Sequence, residues 1–294
     1  MAELIGILTM YVQQLQKTYF KALLAAGVMS LATTSVNAKD WNDTFVGFRY
    51  GTDFTEPGVR GKVQKEIYQL GHVSGNDTGS NFFNLDVLKS DSNDPKKDSN
   101  SGATEAYLVY RHQLFLSKVF DRSMAFGPVK EVALSSGVEL NYKNTEFATR
   151  KRMLVVGPTL KFDVPGYLDV SLLYAMEWNH CGLNACQTEN IQFDPYYVLH
   201  MVWGFPFQMG SVPFKFQGFA SYKTQKGKDY FKQDTGEESL VRASLMVDVG
   251  QMTFGSKNKL LIGPGYEYWK HKYGAINKPG TDTYAPTVHL EWHF

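Results

Sequence analysis

Arg49, Arg111, Lys161, Lys215, Arg242 and Lys259 stand on the polar side of segments in which polar and apolar residues alternate. Glu131, Glu139, Asp169, Glu177, Asp248, Glu267 and Glu291 supply carboxylates on the same side. Phe45, Tyr107, Phe115, Tyr196, Phe219 and Trp269 are interspersed among them. Guanidinium and carboxylate groups hold hydroxyls through charge-assisted hydrogen bonds. An aromatic ring offers a flat face to a planar heterocycle, a contact worth ~1–3 kcal/mol per base in nucleic-acid sites. The two signs of charge nearly cancel. A pore for phosphate would carry a cationic excess and a cation pore an acidic one, so this lining suits neutral, hydroxyl-bearing solutes. The same residues have a structural reading: a narrow barrel fills its interior, and opposite charges there pair with each other.

Other chemistry is sparser. Cys181 and Cys186 are the chain's two cysteines, with Gly182 and Asn184 between them. In an exported chain this spacing suits a loop-closing disulfide better than a metal site, with His180 the one nearby ligand for the alternative. Asp91 to Asn100 is rich in Asp, Ser and Asn, but lacks the Gly and terminal Glu of a calcium loop and reads as solvated. His112 and Ser136 are the pair a membrane-interface lipid hydrolase would need. Both are expected on an outward face, and no Gly-x-Ser-x-Gly elbow accompanies them, so we expect no enzyme and no cofactor.

The elements that position these residues are β-strands. The 294 residues carry 30 Lys+Arg against 29 Asp+Glu, which argues against a nucleic-acid partner. Aromatics reach 14%, with 17 Tyr, 20 Phe and 26 Gly, a composition of sheets and turns. A mean hydropathy of -0.29 is that of a soluble protein. It is equally that of a transmembrane barrel, because only alternate residues of each strand face lipid.

Lys17 to Lys21 form a basic flank, Ala22 to Ala32 an apolar run, and Val36-Asn37-Ala38 a small-residue cleavage signal. Residues 1–38 are therefore expected to be a secretory signal peptide, and residues 39–294 an outer-membrane β-barrel. The apolar run is shorter than the ~20 residues of a spanning helix. Removing Glu3, Lys17 and Lys21 makes the two signs of charge equal.

Period-two alternation recurs about twelve times. In Lys130 to Tyr142 one face carries Val132, Leu134, Ser136, Val138, Leu140 and Tyr142, and the other Glu131, Ala133, Ser135, Gly137, Glu139 and Asn141. Tyr284 to Phe294 repeats the pattern with Val288, Leu290 and Trp292 against Thr287, His289 and Glu291. Strands are expected to begin near Thr44, Lys65, Ser80, Thr104, Lys130, Arg150, Tyr167, Phe193, Val212, Ser239, Lys257 and Tyr284. Long polar links alternate with short ones, apart from Phe120 to Val129, as outer loops alternate with periplasmic turns. The fold class is thus all-β, a transmembrane antiparallel barrel of about twelve strands. A soluble sandwich shares the strand alternation but does not require the loop asymmetry.

The chain ends Leu290-Glu291-Trp292-His293-Phe294, which resembles the terminal-strand signature by which the barrel assembly machinery recognises its clients. Phe126-Gly127-Pro128-Val129-Lys130-Glu131 is similar to a motif of the nucleoside-specific channel-forming outer-membrane porins, the Tsx-like family. Val46 to Gly51, His72 to Gly75, Asn81 to Asp86, Tyr110 to Gln113 and Arg152 to Pro158 resemble its nucleoside-binding outer-membrane branch. The sequence departs from the best-studied branch where Val132-Ala133-Leu134, not aromatics, follow the Lys-Glu pair. The resemblance implies a monomeric channel in the outer membrane of a Gram-negative bacterium, passing nucleosides by diffusion. Some members of that family also serve as phage or colicin receptors through their outer loops. A plugged barrel with a structural or adhesive role is the alternative.

Overall fold

The computed structural model describes residues 41–294; the expected signal peptide, residues 1–38, lies outside the described residues. Thirteen strands follow in order: β1 (Trp41–Phe54), β2 (Val63–Gly75), β3 (Gly79–Ser90), β4 (Thr104–Phe115), β5 (Val129–Lys143), β6 (Arg152–Phe162) and β7 (Tyr167–His180), then β8 (Asn190–Gln192), β9 (Tyr196–Met209), β10 (Val212–Lys223), β11 (Glu238–Asp248), β12 (Leu260–Lys270) and β13 (Thr283–His293). Two short helices, α1 (Leu116–Val119) and α2 (Val249–Phe254), occupy the links before β5 and β12.

All pairings are antiparallel. Each long strand pairs with the next, β7 pairs with β9, and β13 returns to β1 in the register Phe45↔His293 to Tyr50↔Val288. Twelve long strands thus form a closed barrel. The three-residue β8 pairs only with the end of β7, at Trp178 to His180. Closure leaves no unpaired edge among the twelve long strands, a requirement for any sheet that faces hydrocarbon. The long strands begin within three residues of the positions read from the alternation. The sequence pattern did not anticipate β8 or the two helices.

Links alternate in kind. Residues 76–78, 163–166 and 210–211 make tight turns at the end that also holds Trp41 and His293. Residues 91–103, 181–195, 224–237 and 271–282 make longer loops at the opposite end. The longer link 116–128 at the turn end is occupied by α1, where Glu131 accepts from Ser117 N at 3.2 Å and from its hydroxyl. Asp248 caps α2 by accepting from Gln251 N at 2.9 Å, and its other oxygen accepts from Asn258 N at 2.6 Å.

Period two decides what faces outward. On β13, Tyr284, Pro286, Val288, Leu290 and Trp292 are exposed while Thr283, Ala285, Thr287, His289, Glu291 and His293 are buried. Val46, Phe48, Leu134, Leu154, Val156, Leu172, Leu199, Leu245 and Ile262 continue the exposed apolar belt. Outward rings pair between neighbouring strands, as in Tyr174–Tyr197 at 5.9 Å and Tyr268–Tyr284 at 5.4 Å. So much exposed apolar surface would be an aggregation hazard in water and is the ordinary outer face of a barrel in lipid. His112 and Ser136 are register neighbours on this outer side, and His112 Nδ1 pairs with Asn81 Oδ1 at 3.0 Å.

Candidate functional site

Closure turns one parity of every strand toward a common lumen, and the side chains there bond to one another. At mid-barrel, Asp86 of β3 faces two arginines. Its Oδ2 lies 3.3 Å from Arg49 Nη2 of β1 and 3.7 Å from Arg242 Nη1 of β11. Going round the wall by the shorter way, β2, β1, β13 and β12 separate β3 from β11, so the Asp86–Arg242 pair reaches across the lumen. Arg242 also donates to Glu267 of the adjacent β12, at 2.9 Å from Nε and 2.8 Å from Nη2. Its guanidinium carbon sits 5.2 Å from the centre of the Phe219 ring. Two cations and two carboxylates therefore meet in one neutral group. Arg49 is 3% exposed, and its Nε has no hydrogen-bond partner among the described residues.

A second group surrounds Glu139, which accepts from Arg111, from the Tyr107 hydroxyl, and from Lys151 at 2.8 Å. Lys151 also donates to the Tyr107 oxygen at 3.0 Å and lies 5.4 Å from that ring's centre. Lys151 immediately precedes β6; burial works against its charge, but Glu139 and Glu177 raise its pKa. A third group joins Glu177 to Tyr196, whose hydroxyl donates at 2.6 Å, and to Lys226 at 2.8 Å. Near the turn end, Lys161 pairs with Asp169 at 2.5 Å and stands 5.7 Å from the Phe115 ring centre. Gln113 accepts from Lys161 at 2.7 Å and donates to Asp169 at 3.1 Å.

The loop end carries a further cluster around Glu56, in the link between β1 and β2. Lys65, Lys143 at 3.0 Å and Lys272 at 2.9 Å converge on this one carboxylate. Burial opposes its ionisation, but Lys143, Lys272 and Lys65 together hold it well below the usual carboxylate range. Burial in turn depresses Lys272, which donates to Thr55 O at 3.0 Å and lies 4.6 Å from the Trp269 ring centre. Trp269 Nε1 donates to Glu238 at 2.9 Å, and Lys223 bridges to the same oxygen at 2.9 Å. A buried charge is costly unless paired, and each of these has an opposite charge within 3.0 Å.

The structure places the sequence-predicted residues unequally. Arg49, Arg242 and Phe219 meet at mid-barrel; Tyr107, Arg111 and Glu139 form one group; and Tyr196, Phe115 and Trp269 point inward into separate ones. Phe45 also points inward, but its ring stacks on His293 at 5.0 Å and covers Gly71 at the seam of the barrel. Glu131 faces inward at the turn end with both oxygens on Ser117. Lys259 is a correction: it precedes β12 and sits 5.7 Å from the ring centre of Trp292, which belongs to the outer face. Strand parity does not extend into the α2 link, so it could not place this residue.

Sequence reasoning missed Asp86, Glu56, Lys65, Lys143, Lys151, Lys226, Lys272 and Glu238. Asp86 lies in Phe82-Phe83-Asn84-Leu85-Asp86-Val87-Leu88, where apolar residues occur at both parities and hide the inward face. Glu56, Lys226 and Lys272 lie in links, where period two carries no information. Cys181 and Cys186 are joined by a disulfide, with Cα atoms 6.4 Å apart, and Cys181 packs with Phe193 and Tyr230. His180 Nδ1 bonds to Ala148 O at 2.9 Å. In the 91–103 loop, the Asp91 carboxylate accepts from Gln64 N and Asn93 N, and Asp94 pairs with Lys143 at 2.8 Å.

Fold and lining together define a closed antiparallel β-barrel of twelve long strands with a charge-paired interior. No protein-family model matches the chain, and no curated protein matches it. Among solved structures it is similar to the translocator domain of the autotransporter NalP from Neisseria meningitidis, at 13% identity over 96% of this chain and 95% of that one, TM-score 0.45. It is similar to an outer membrane channel from Pseudomonas putida F1, at 11% identity over 88% and 97%, TM-score 0.49. The NanC porin matches at 10% identity over 86% and 99%, TM-score 0.40. The fold assignment itself rests on the strand pairings.

Proposed function

We propose that this chain is an outer-membrane channel for nucleosides. The observation that carries the reading is the barrel's sidedness: an apolar belt outside, and inside it a lumen whose arginines and carboxylates balance and whose aromatics lie among them. A charge-balanced, hydrogen-bonding lining favours neutral polar solutes over ions of either sign. Ribose hydroxyls fit the carboxylates and guanidinium groups, and a base fits an inward ring such as Phe219. The resemblance of Phe126 to Glu131 and the other quoted segments to nucleoside-specific porins supports the same solute class. On this reading the tight turns are periplasmic and the long loops face outward, where phages or colicins would meet them.

The test is swelling of liposomes carrying the purified protein, in nucleosides, sugars and amino acids of similar size. Faster swelling in nucleosides, with nucleoside block of single-channel current, is the expected result. If nucleosides neither permeate nor block at millimolar concentration, the reading fails. A plugged barrel is then favoured by the Asp86–Arg242 pair, which already spans the lumen.

A further inference from the structure

We infer that Asp86 is the latch of the lumen: it draws the Glu267-bound guanidinium of Arg242 across the passage, and solute crosses when Arg242 gives up Asp86 and rests on its own wall alone. The inference rests on the channel reading and adds to it a gate and the residue that sets it.

Asp86 is built to hold this position. Its Oδ1 accepts from Asn84 Nδ2 at 2.8 Å, and Gln69 Nε2 donates to Asn84 at 2.7 Å, so a relay along the β2–β3 wall fixes the carboxylate. That leaves Oδ2 for the two arginines. Arg49 reaches it from two strands away at 3.3 Å, and Arg242 from the far wall at 3.7 Å. The Arg242 contact is the longer of the two and the one that crosses the passage.

Arg242 already has a closer partner on its own wall. Glu267 on the neighbouring strand already accepts two of its N–H groups, and the Phe219 ring lies beside it on β10. Giving up Asp86 therefore strands neither charge: Arg242 keeps Glu267, and Asp86 keeps Arg49. Charge balance is the same in both positions, so the switch does not alter ion preference, only width. Asp86 and Glu267 thus pull the same guanidinium in opposite directions, one across the lumen and one along the wall.

That opposition gives a test in which two changes of equal charge have opposite effects. Single-channel conductance and nucleoside-dependent liposome swelling are measured for the wild-type protein, Asp86→Asn and Glu267→Gln, with heat-modifiable gel mobility confirming that each barrel is folded. Asp86→Asn releases Arg242 to its own wall and is expected to raise conductance about twofold or more. Glu267→Gln removes the wall anchor, leaves Arg242 on Asp86, and is expected to lower it. If both variants move conductance in the same direction, or Asp86→Asn leaves it unchanged while the wild type passes nucleosides, the latch is overturned and the channel reading stands. If neither the wild type nor Asp86→Asn passes nucleosides, the channel reading falls and the latch with it. Should Asp86→Asn not assemble, Arg242→Gln breaks the same contact from the opposite wall and is expected to raise conductance in its place.

Discussion

His293 at the end of β13 stacks on Phe45 of β1 with ring centres 5.0 Å apart and planes 25° from parallel, while its Nδ1 lies 2.8 Å from Asp43 Oδ2. The two residues sit opposite each other in the strand register that closes the barrel. Phe45 also covers Gly71 of β2, where any side chain would collide with the ring. One aromatic therefore ties together three strands at the seam. Phe45→Ala is expected to cost about 1 kcal/mol for the lost stacking pair, beyond its lost burial. It should lower the temperature at which the barrel unfolds on a heat-modified gel while leaving nucleoside block of current nearly intact.

Phe219 has a different position, beside Arg242 at mid-barrel and 5.8 Å from the ring of His200. Phe219→Ala is expected to weaken nucleoside block by about tenfold, the equivalent of ~1.4 kcal/mol, within the range of a base–aromatic stack. Ionic conductance should stay equal or rise. Unchanged block would remove this ring from the solute path.

Glu56 binds three lysines from β2, β5 and the link before β13. Its carboxyl is held well below the usual range in the folded protein, so it ionises more readily there than in the unfolded chain. Such a group contributes stability that is fully present above the unfolded pKa of ~4.3 and is lost as pH falls through the depressed folded value. Limited proteolysis should show the loop end intact at pH 7 and opening only under strong acid. Glu56→Gln leaves three buried ammonium groups without their shared partner and is expected to cost about 3–5 kcal/mol, with cleavage in the loops already at neutral pH.

The disulfide between Cys181 and Cys186 closes a short loop next to Phe193 and Tyr230. In the chain-entropy account a loop of this length contributes about 2 kcal/mol. Cys181→Ser with Cys186→Ser should therefore leave the barrel folded and loosen only the loop. Protein from cells should resist alkylation until reduced; two free thiols in unreduced protein would contradict the bond.

Phe294 is 70% exposed, and its backbone N–H donates to Thr44 O at 2.9 Å. Its ring contributes little to the folded wall. Deleting it is expected to leave the stability of refolded barrel nearly unchanged but to reduce the amount inserted in cells, because the terminal aromatic is what the assembly machinery would read. Equal insertion with and without Phe294 would count against that role.

The sequence by itself determined the wall. Alternation along Lys130 to Tyr142 and Tyr284 to Phe294 separates the lipid-side residues from the inward ones, because a strand's side chains have a period of two wherever the strand is placed. It therefore placed Arg49, Tyr107, Glu139, Tyr196 and Arg242 on the inward side before any contact was known. What only the tertiary structure decided is which of these meet. Asp86 and Arg242 come from almost opposite walls, and no local pattern encodes a distance across a closed sheet. The same limit applies at the loop end. Glu56, Lys226 and Lys272 lie outside the strands, and only the folding of those links over the barrel mouth brings Glu56 to three lysines and Lys226 to Glu177. Phe45 and Phe219 look alike in the sequence; closure of the seam commits one to His293 and leaves the other beside the guanidinium at the centre of the passage.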